Sequence, residues 1–330
     1  MHSTELQQQL FNHLKEKLPP HLSLVDELED LLDLSADSVY RRIRGEKPIT
    51  MTELKRICEH YHLSLDQLLQ LKTDTVVFRA PDLEKTNFPF VDVLRSMLQQ
   101  LQYMNSFKEK QMLYLCKDMP IWEFYLFPAL AAFKTFVWAK SIHNDPAYAG
   151  KLFSLEEFMF SDCFAIGQQI IQQYNQIPSV ELWNEESINS TLNQVKFYKD
   201  SGGFRYTADV TTIVDSLQQT LDHLRFQAER GVKFMPGDPE IIHRAPVQFY
   251  VNEVVLGSNT ILAELDHSRM SFIPYNVFSY MLTSDRRFNE SVFHGFHTLR
   301  SRSTLISGTG EKERNRFFTF LQDKVNLLRK

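Results

Sequence analysis

Phenylalanine is distributed along this chain in a way that argues against one continuous core. Of 26 phenylalanines, only Phe11 precedes Phe78, and the other 25 lie in the remaining chain. A core of leucines and a core of aromatic rings pack differently, so the two regions are expected to close separately. A length of 330 residues agrees, because it exceeds what a single hydrophobic core usually supports. Between the regions, KTDTVVFRAPDLEKTNF at 72–88 mixes a short β-like run with Pro81 and charges, as a linker does. We place the boundary near residue 75, giving domains at 1–75 and 76–330, with 76–88 as the linker that opens the second.

Helix signals are dense in the first region. Leu6, Leu10, Leu14 and Leu18 recur every four residues before Pro19 and Pro20 end the segment. Ser23 is placed to cap a second helix carrying Leu24, Leu28, Leu31 and Leu32 on one face and Asp26, Glu27, Glu29, Asp30 and Asp33 elsewhere. After the short LSA connection comes SADSVYRRIRGEKPIT at 35–50. Here Ser35 is a good N-cap, Gly45 supplies a residue able to take positive φ, and Pro48 blocks continuation, so a third helix spans about 36–44. Thr50 with Glu53, and Ser64 with Gln67, form capping boxes for two more helices. At 100° per residue, Ala36, Val39, Tyr40 and Ile43 share the arc expected to face the core. Asp37, Ser38 and Arg41 then point outward, with Arg42 and Arg44 on the flanks.

A short turn joining one helix to a second, exposed basic helix is the helix-turn-helix arrangement, whose second helix reads base edges in the major groove of DNA. The run DELEDLLDLSADSVYRRIRGEKPITMTELKRICEHYHLSLDQLL resembles the helix-turn-helix of phage-repressor-type (XRE) bacterial regulators, over residues 5–71 only. The resemblance implies base or phosphate contacts from Ser35, Ala36, Asp37, Ser38, Arg41 and Arg42, with Arg44 and Lys47 on the backbone. One departure stands out: that family usually has an apolar residue three before the glycine, where this chain has Arg42.

Charge limits the mode of binding. Residues 1–72 hold nine Lys/Arg against twelve Asp/Glu, a net of −3, within a chain of net −5. A general polyanion binder is excluded, and useful occupancy calls for a homodimer spanning two half-sites. Three well-separated cysteines, Cys58, Cys116 and Cys163, with no CxxC pair, fit a reducing cytoplasm, and MHSTELQQQL lacks the pattern of a secretory signal. The apolar run at 121–139 contains Glu123, Pro128 and Lys134 and is expected to be a buried helix, so no membrane partner is expected.

The second region predicts helices at 88–104, 120–142, 154–176, 184–200, 206–230, 285–300 and 311–328, with a strand at 110–116. VQFYVNEVVL and NTILAEL flank Gly257-Ser258 as an expected hairpin, with RMSFIPY as a third strand. The expected class is thus α+β and helix-rich: an all-α helix-turn-helix bundle, then a larger helical domain with a small antiparallel sheet. The terminal helix, with Phe317, Phe320, Leu321, Val325 and Leu328 near one face, either docks on its own core or supplies a dimer interface.

Catalytic motifs are not found: HxxH at His294 and His297 lacks a further ligand at zinc spacing, and SGTGEKERNR at 307–316 lacks the phosphate-loop pattern and reads as a surface loop before the last helix. We expect no enzyme, no cofactor and no metal. The expected function is a sequence-specific one-component transcriptional regulator that binds double-stranded DNA, with a second domain for dimerisation or for sensing an apolar or amphipathic small effector. A protein-interaction scaffold with a repurposed helix-turn-helix, and an enzyme whose cleft leaves no motif, are the alternatives.

Overall fold

The structure, a computed structural model, describes residues 3–18, 22–61, 63, 65, 75–80, 89–159, 161–238, 245–254, 256–266, 268–277 and 279–329. By internal contacts the chain divides into two compact units, Met1–Val77 and Phe78–Lys330.

The described part of the first unit is helical: α1 (Ser3–Lys17), α2 (Leu24–Leu32), α3 (Ala36–Ile43) and α4 (Met51–His60). Their apolar stripes meet in one core of Leu10, Phe11, Leu14, Leu28, Leu32, Val39 and Ile57. Ser23 accepts the Asp26 amide at 3.4 Å to start α2. Thr50 and Glu53 close their reciprocal capping box at α4. Asp33 ends α2 in the left-handed region at φ 56°, a conformation that short polar side chains tolerate better than most, and so turns the chain into α3. The helix expected from Ser64 and Gln67, the break at Pro19-Pro20 and most of the 72–88 linker lie outside the described residues.

The second unit is mixed and helix-rich, as expected, but its sheet is neither small nor purely antiparallel. Seven strands, β1 (Lys110–Cys116), β2 (Ser179–Trp183), β3 (Val247–Val251), β4 (Ile261–Leu265), β5 (Ser268–Pro274), β6 (Tyr280–Thr283) and β7 (Thr304–Leu305), pair in the order β6-β5-β4-β1-β2-β3-β7. β1, β2 and β3 are parallel; the other pairings are antiparallel. The expected hairpin across Gly257-Ser258 does not form. β3 runs beside β2, with Ser179 opposite Val247, while β4 pairs with β1, with Lys110 opposite Leu265, so two whole strands separate β3 from β4. The connection passes over one sheet face, where Leu256 is buried with Leu113, Val180, Leu182 and Leu262. The parallel centre demands long crossovers, and helices supply them.

The helices of this unit are α5 (Phe90–Asn105), α6 (Pro128–Val137), α7 (Leu155–Phe158), α8 (Asp162–Tyr174), α9 (Asn189–Asp200), α10 (Ala208–Arg230), α11 (Arg286–Ser301) and α12 (Glu311–Asn326), of which α6 to α10 lie in the two crossovers. Two expected long helices are interrupted. Within 120–142, the short 3-10 turn Ile121–Tyr125 precedes α6, because Pro128 can begin a helix but cannot donate into the turn before it. Within 154–176, α7 stops and α8 restarts after an extended Ser161. Alternation along β1 sends Met112, Tyr114 and Cys116 to the large helical face, and Leu113 to the face covered by Phe293 and Phe296 of α11.

The phenylalanines of the large face pack on one another. Phe133 lies 5.5 Å from Phe153 and 5.6 Å from Phe204, and Phe136 lies 5.0 Å from Phe158, centroid to centroid. The terminal helix α12 docks on its own core, with Phe317, Phe318, Leu321 and Val325 buried. No helix among the described residues is long and apolar enough to cross a membrane.

Candidate nucleic-acid interface

Helix α3 divides its eight residues between fold and surface. Val39 enters the core, and Ala36 and Ile43 are half-buried beside it. The expected inward arc is wrong in one member: Tyr40 is 50% exposed, and its place is taken by Arg42, only 3% exposed. The Arg42 guanidinium grips Glu53 through both carboxylate oxygens, at 3.1 and 2.7 Å, and donates to the Ser38 carbonyl at 2.9 Å. Bidentate, charge-assisted geometry of this kind makes a buried arginine tolerable. Burial alone would raise the Glu53 carboxyl, but the Arg42 hydrogen bond, the Thr50 amide and the Arg42 charge outweigh it and hold the group below its usual value. Arg42 therefore leaves the set of residues offered to a ligand.

Outward face Asp37, Arg41 and Arg44, with Ser35 exposed at the N-cap and Lys47 exposed beyond the helix. Ser38 is half-buried, and its hydroxyl accepts from Ser35 at 3.2 Å, so Ser35 caps no backbone amide. The Arg41 and Arg44 side chains are 52% and 57% exposed, and both lean on Glu46, at 3.9 and 2.9 Å. Exposed pairs of this type hold weakly and exchange readily for a phosphate or a base edge. The surface around α3 thus presents Arg41, Arg44 and Lys47 against Asp37 and Glu46.

The turn after α3 is fixed from two sides. Gly45 adopts φ 76°, where an L side chain is strained, and this lets the Glu46 amide reach back to the Arg41 carbonyl at 2.8 Å. From α1, the buried Gln7 side chain donates to the Arg42 and Lys47 carbonyls at 2.7 and 2.8 Å and accepts the Ile49 amide at 2.9 Å.

Residues 12–85 match the BetR domain. This is a DNA-binding domain of helix-turn-helix type, and the match spans the turn, α3 and its capping loop. The narrower XRE-type likeness is not what the match reports. Among curated proteins none matches this chain. Among solved structures, TrmBL2, described as an archaeal chromatin protein with a novel mode of DNA binding, aligns over 92% of this chain and 99% of its own at 8% identity, with a TM-score of 0.23. A likeness that loose carries no argument about this fold.

Sequence reasoning read Glu53 as the capping partner of Thr50 but missed its pairing with Arg42, and it missed Gln7 and Glu46 as organisers of the turn after α3. Gln7 leaves no local signal, because its partners lie 35 to 42 positions away. Arg42 did leave one: it occupies a place where the similar family keeps an apolar residue, and a buried polar residue at an apolar place needs a partner. In the second unit, His294 and His297 are exposed on α11, and no group of three or more metal-ligating side chains occurs among the described residues. The SGTG loop leads into α12 as expected, its Ile306 and Gly308 carbonyls held by the buried Arg314. A surface cleft of about 810 Å³ is lined by Glu109, Lys110, Glu264, Asp266, Arg269 and Arg286, and not by the aromatic rings.

Proposed function

We propose that the first unit reads duplex DNA through α3 and that the chain is a one-component transcriptional regulator. The observation that carries this is the division of labour along α3 within a segment matching a DNA-binding domain: Val39 and Arg42 serve the fold, while Asp37, Arg41 and Arg44 face outward. Arg41 and Ser35 are placed for base edges, and Arg44 and Lys47 for phosphates. An XRE-like mode of entry into the major groove fits the short turn at Asp33 and the glycine after α3.

A surface with three cations and two acids supplies little affinity alone, so the working species is a homodimer on two half-sites, assembled by the second unit. The docking of α12 on its own core removes most of that helix as the interface and leaves exposed Phe320 and Leu327 as its apolar remainder. Effector sensing belongs to the same unit. Ring-on-ring packing accounts for its phenylalanines as core, so the effector is not restricted to apolar molecules.

The test selects bound fragments from random duplexes with purified protein at fixed salt, then repeats the binding with R41A. Loss of about 1–3 kcal/mol on the selected site, with relaxed preference at one base position, is the expected result. Undiminished affinity and preference in both R41A and R44A would exclude α3 as the reading helix.

A further inference from the structure

We propose that Glu46, in the turn after α3, sets how strongly the reading surface prefers its own site over random duplex, a role that rests on the α3 reading given above. It does so by steering Arg41 toward a base edge and withholding Arg44 from phosphates. The Glu46 carboxylate meets the two arginines differently. Arg44 presents one edge of its guanidinium, with Nε 2.9 Å from one carboxylate oxygen and a terminal nitrogen 3.4 Å from the other. A phosphate uses the same fork. Arg41 is held through Nε alone, at 3.9 Å, and no hydrogen bond to its two terminal nitrogens occurs among the described residues. Those two nitrogens are free to meet guanine O6 and N7 together.

The backbone under the carboxylate is fixed. The Glu46 amide is bonded to the Arg41 carbonyl at 2.8 Å, and Gln7 of α1 holds the Arg42 and Lys47 carbonyls on either side of it. Arg44 must therefore leave Glu46 to reach a phosphate, and it arrives already neutralised: the DNA gives up a counterion while Glu46 takes one on. A random-sequence complex lives on phosphate contacts and bears this loss in full. On the proper site Arg41 reads a base edge while its Nε stays beside Glu46, so part of the pairing survives and the guanidinium stays oriented. Glu46 thus weakens the random complex more than the specific one. Its weight in the local charge is large: Arg41, Arg44 and Lys47 against Asp37 and Glu46 give a net of +1, which becomes +2 when Glu46 is neutral.

The experiment measures binding of full-length protein to two labelled duplexes of equal length, one of random sequence and one carrying the selected site, across a salt series. The variants are E46Q, E46D, R44A, R44A/E46Q and R41A/R44A. E46Q is expected to bind the random duplex about two- to fivefold more tightly at low salt, the span of one exposed ion pair, with a salt slope steeper by about one. Its gain on the selected site is smaller or absent, so the preference for that site falls. E46D keeps the charge and with it the preference, and adding E46Q to R44A brings no gain on the random duplex. Random-duplex affinity that does not rise in E46Q, or that rises equally for both duplexes, overturns the role of Glu46. So does an equal gain in E46D, or a gain that persists in the R44A background. Unchanged binding of both duplexes by R41A/R44A overturns the α3 reading instead, and failure of the unaltered protein to bind either duplex overturns both.

Discussion

Replacing Glu53 with Gln leaves the Arg42 guanidinium buried without its counter-charge and also opens the capping box at Thr50. Removing one partner of a buried pair costs about 3–5 kcal/mol, enough to threaten a unit of this size. R42A should behave alike, whereas R41A, exposed and weakly paired, should leave stability within about 0.5 kcal/mol. The assay is built into the sequence: Trp122, Trp138 and Trp183 all lie in the second unit, so far-UV circular dichroism that changes without tryptophan emission reports the first unit. Acid acts in the same place. The Glu53 carboxyl titrates below 4.5 in the folded unit, so its stabilisation is fully present above about pH 4.5 and is lost as pH falls through the folded-state value. A dichroism midpoint in urea that rises on acidification from pH 6 to 4 would contradict this assignment. Composition and periodicity placed Arg42 on a helix flank; only its long-range partner decides that the side chain turns inward.

At the scale of elements, what sequence revealed was local. Ser23, Thr50 with Glu53, and Gly45 act within a few residues of themselves, so their caps and turn are readable from spacing. The KQMLYLC strand was equally plain, since Met112–Cys116 form a short apolar and aromatic run after Lys110 and Gln111. Pairing partners were not. Gly257-Ser258 looks like a hairpin turn only because adjacent strands usually pair; nothing near it records that β1 and β2 fill the space between. β2 itself was missed because it is five residues long and carries Glu181, whose charge hides that the strand is wholly buried. That carboxylate is satisfied by the Tyr174 and Ser179 hydroxyls and by the Trp183 indole N–H at 2.9 Å. Two element-scale predictions follow from the α3 turn. G45A should destabilise the first unit by about 1–2 kcal/mol, because alanine is strained at positive φ. Q7A should cost about 1–3 kcal/mol by orphaning the Ile49 amide and the Arg42 and Lys47 carbonyls, and Q7E, which keeps the acceptor but sets a carboxylate oxygen against both carbonyls, should recover none of that loss in the same dichroism assay.

For the whole molecule, two separate cores imply two separable transitions. A chain lacking residues 1–77 should retain the urea midpoint of tryptophan emission seen in the intact protein; a midpoint displaced by more than about 0.5 M would show that the units stabilise each other. The interleaved sheet also sets a timetable for synthesis. Every contact described in the first unit lies within its opening 77 residues, so that unit is complete early. Strand β1 emerges soon afterwards, yet its neighbour β4 is about 150 residues further along the chain. At translation speeds of about 5–20 residues per second, the interval lasts about 8 to 30 s. During that time the nascent protein carries a finished helical head, and β1 gains its parallel neighbour β2 while its other edge stays open, which is the state in which a chaperone would meet it on the ribosome.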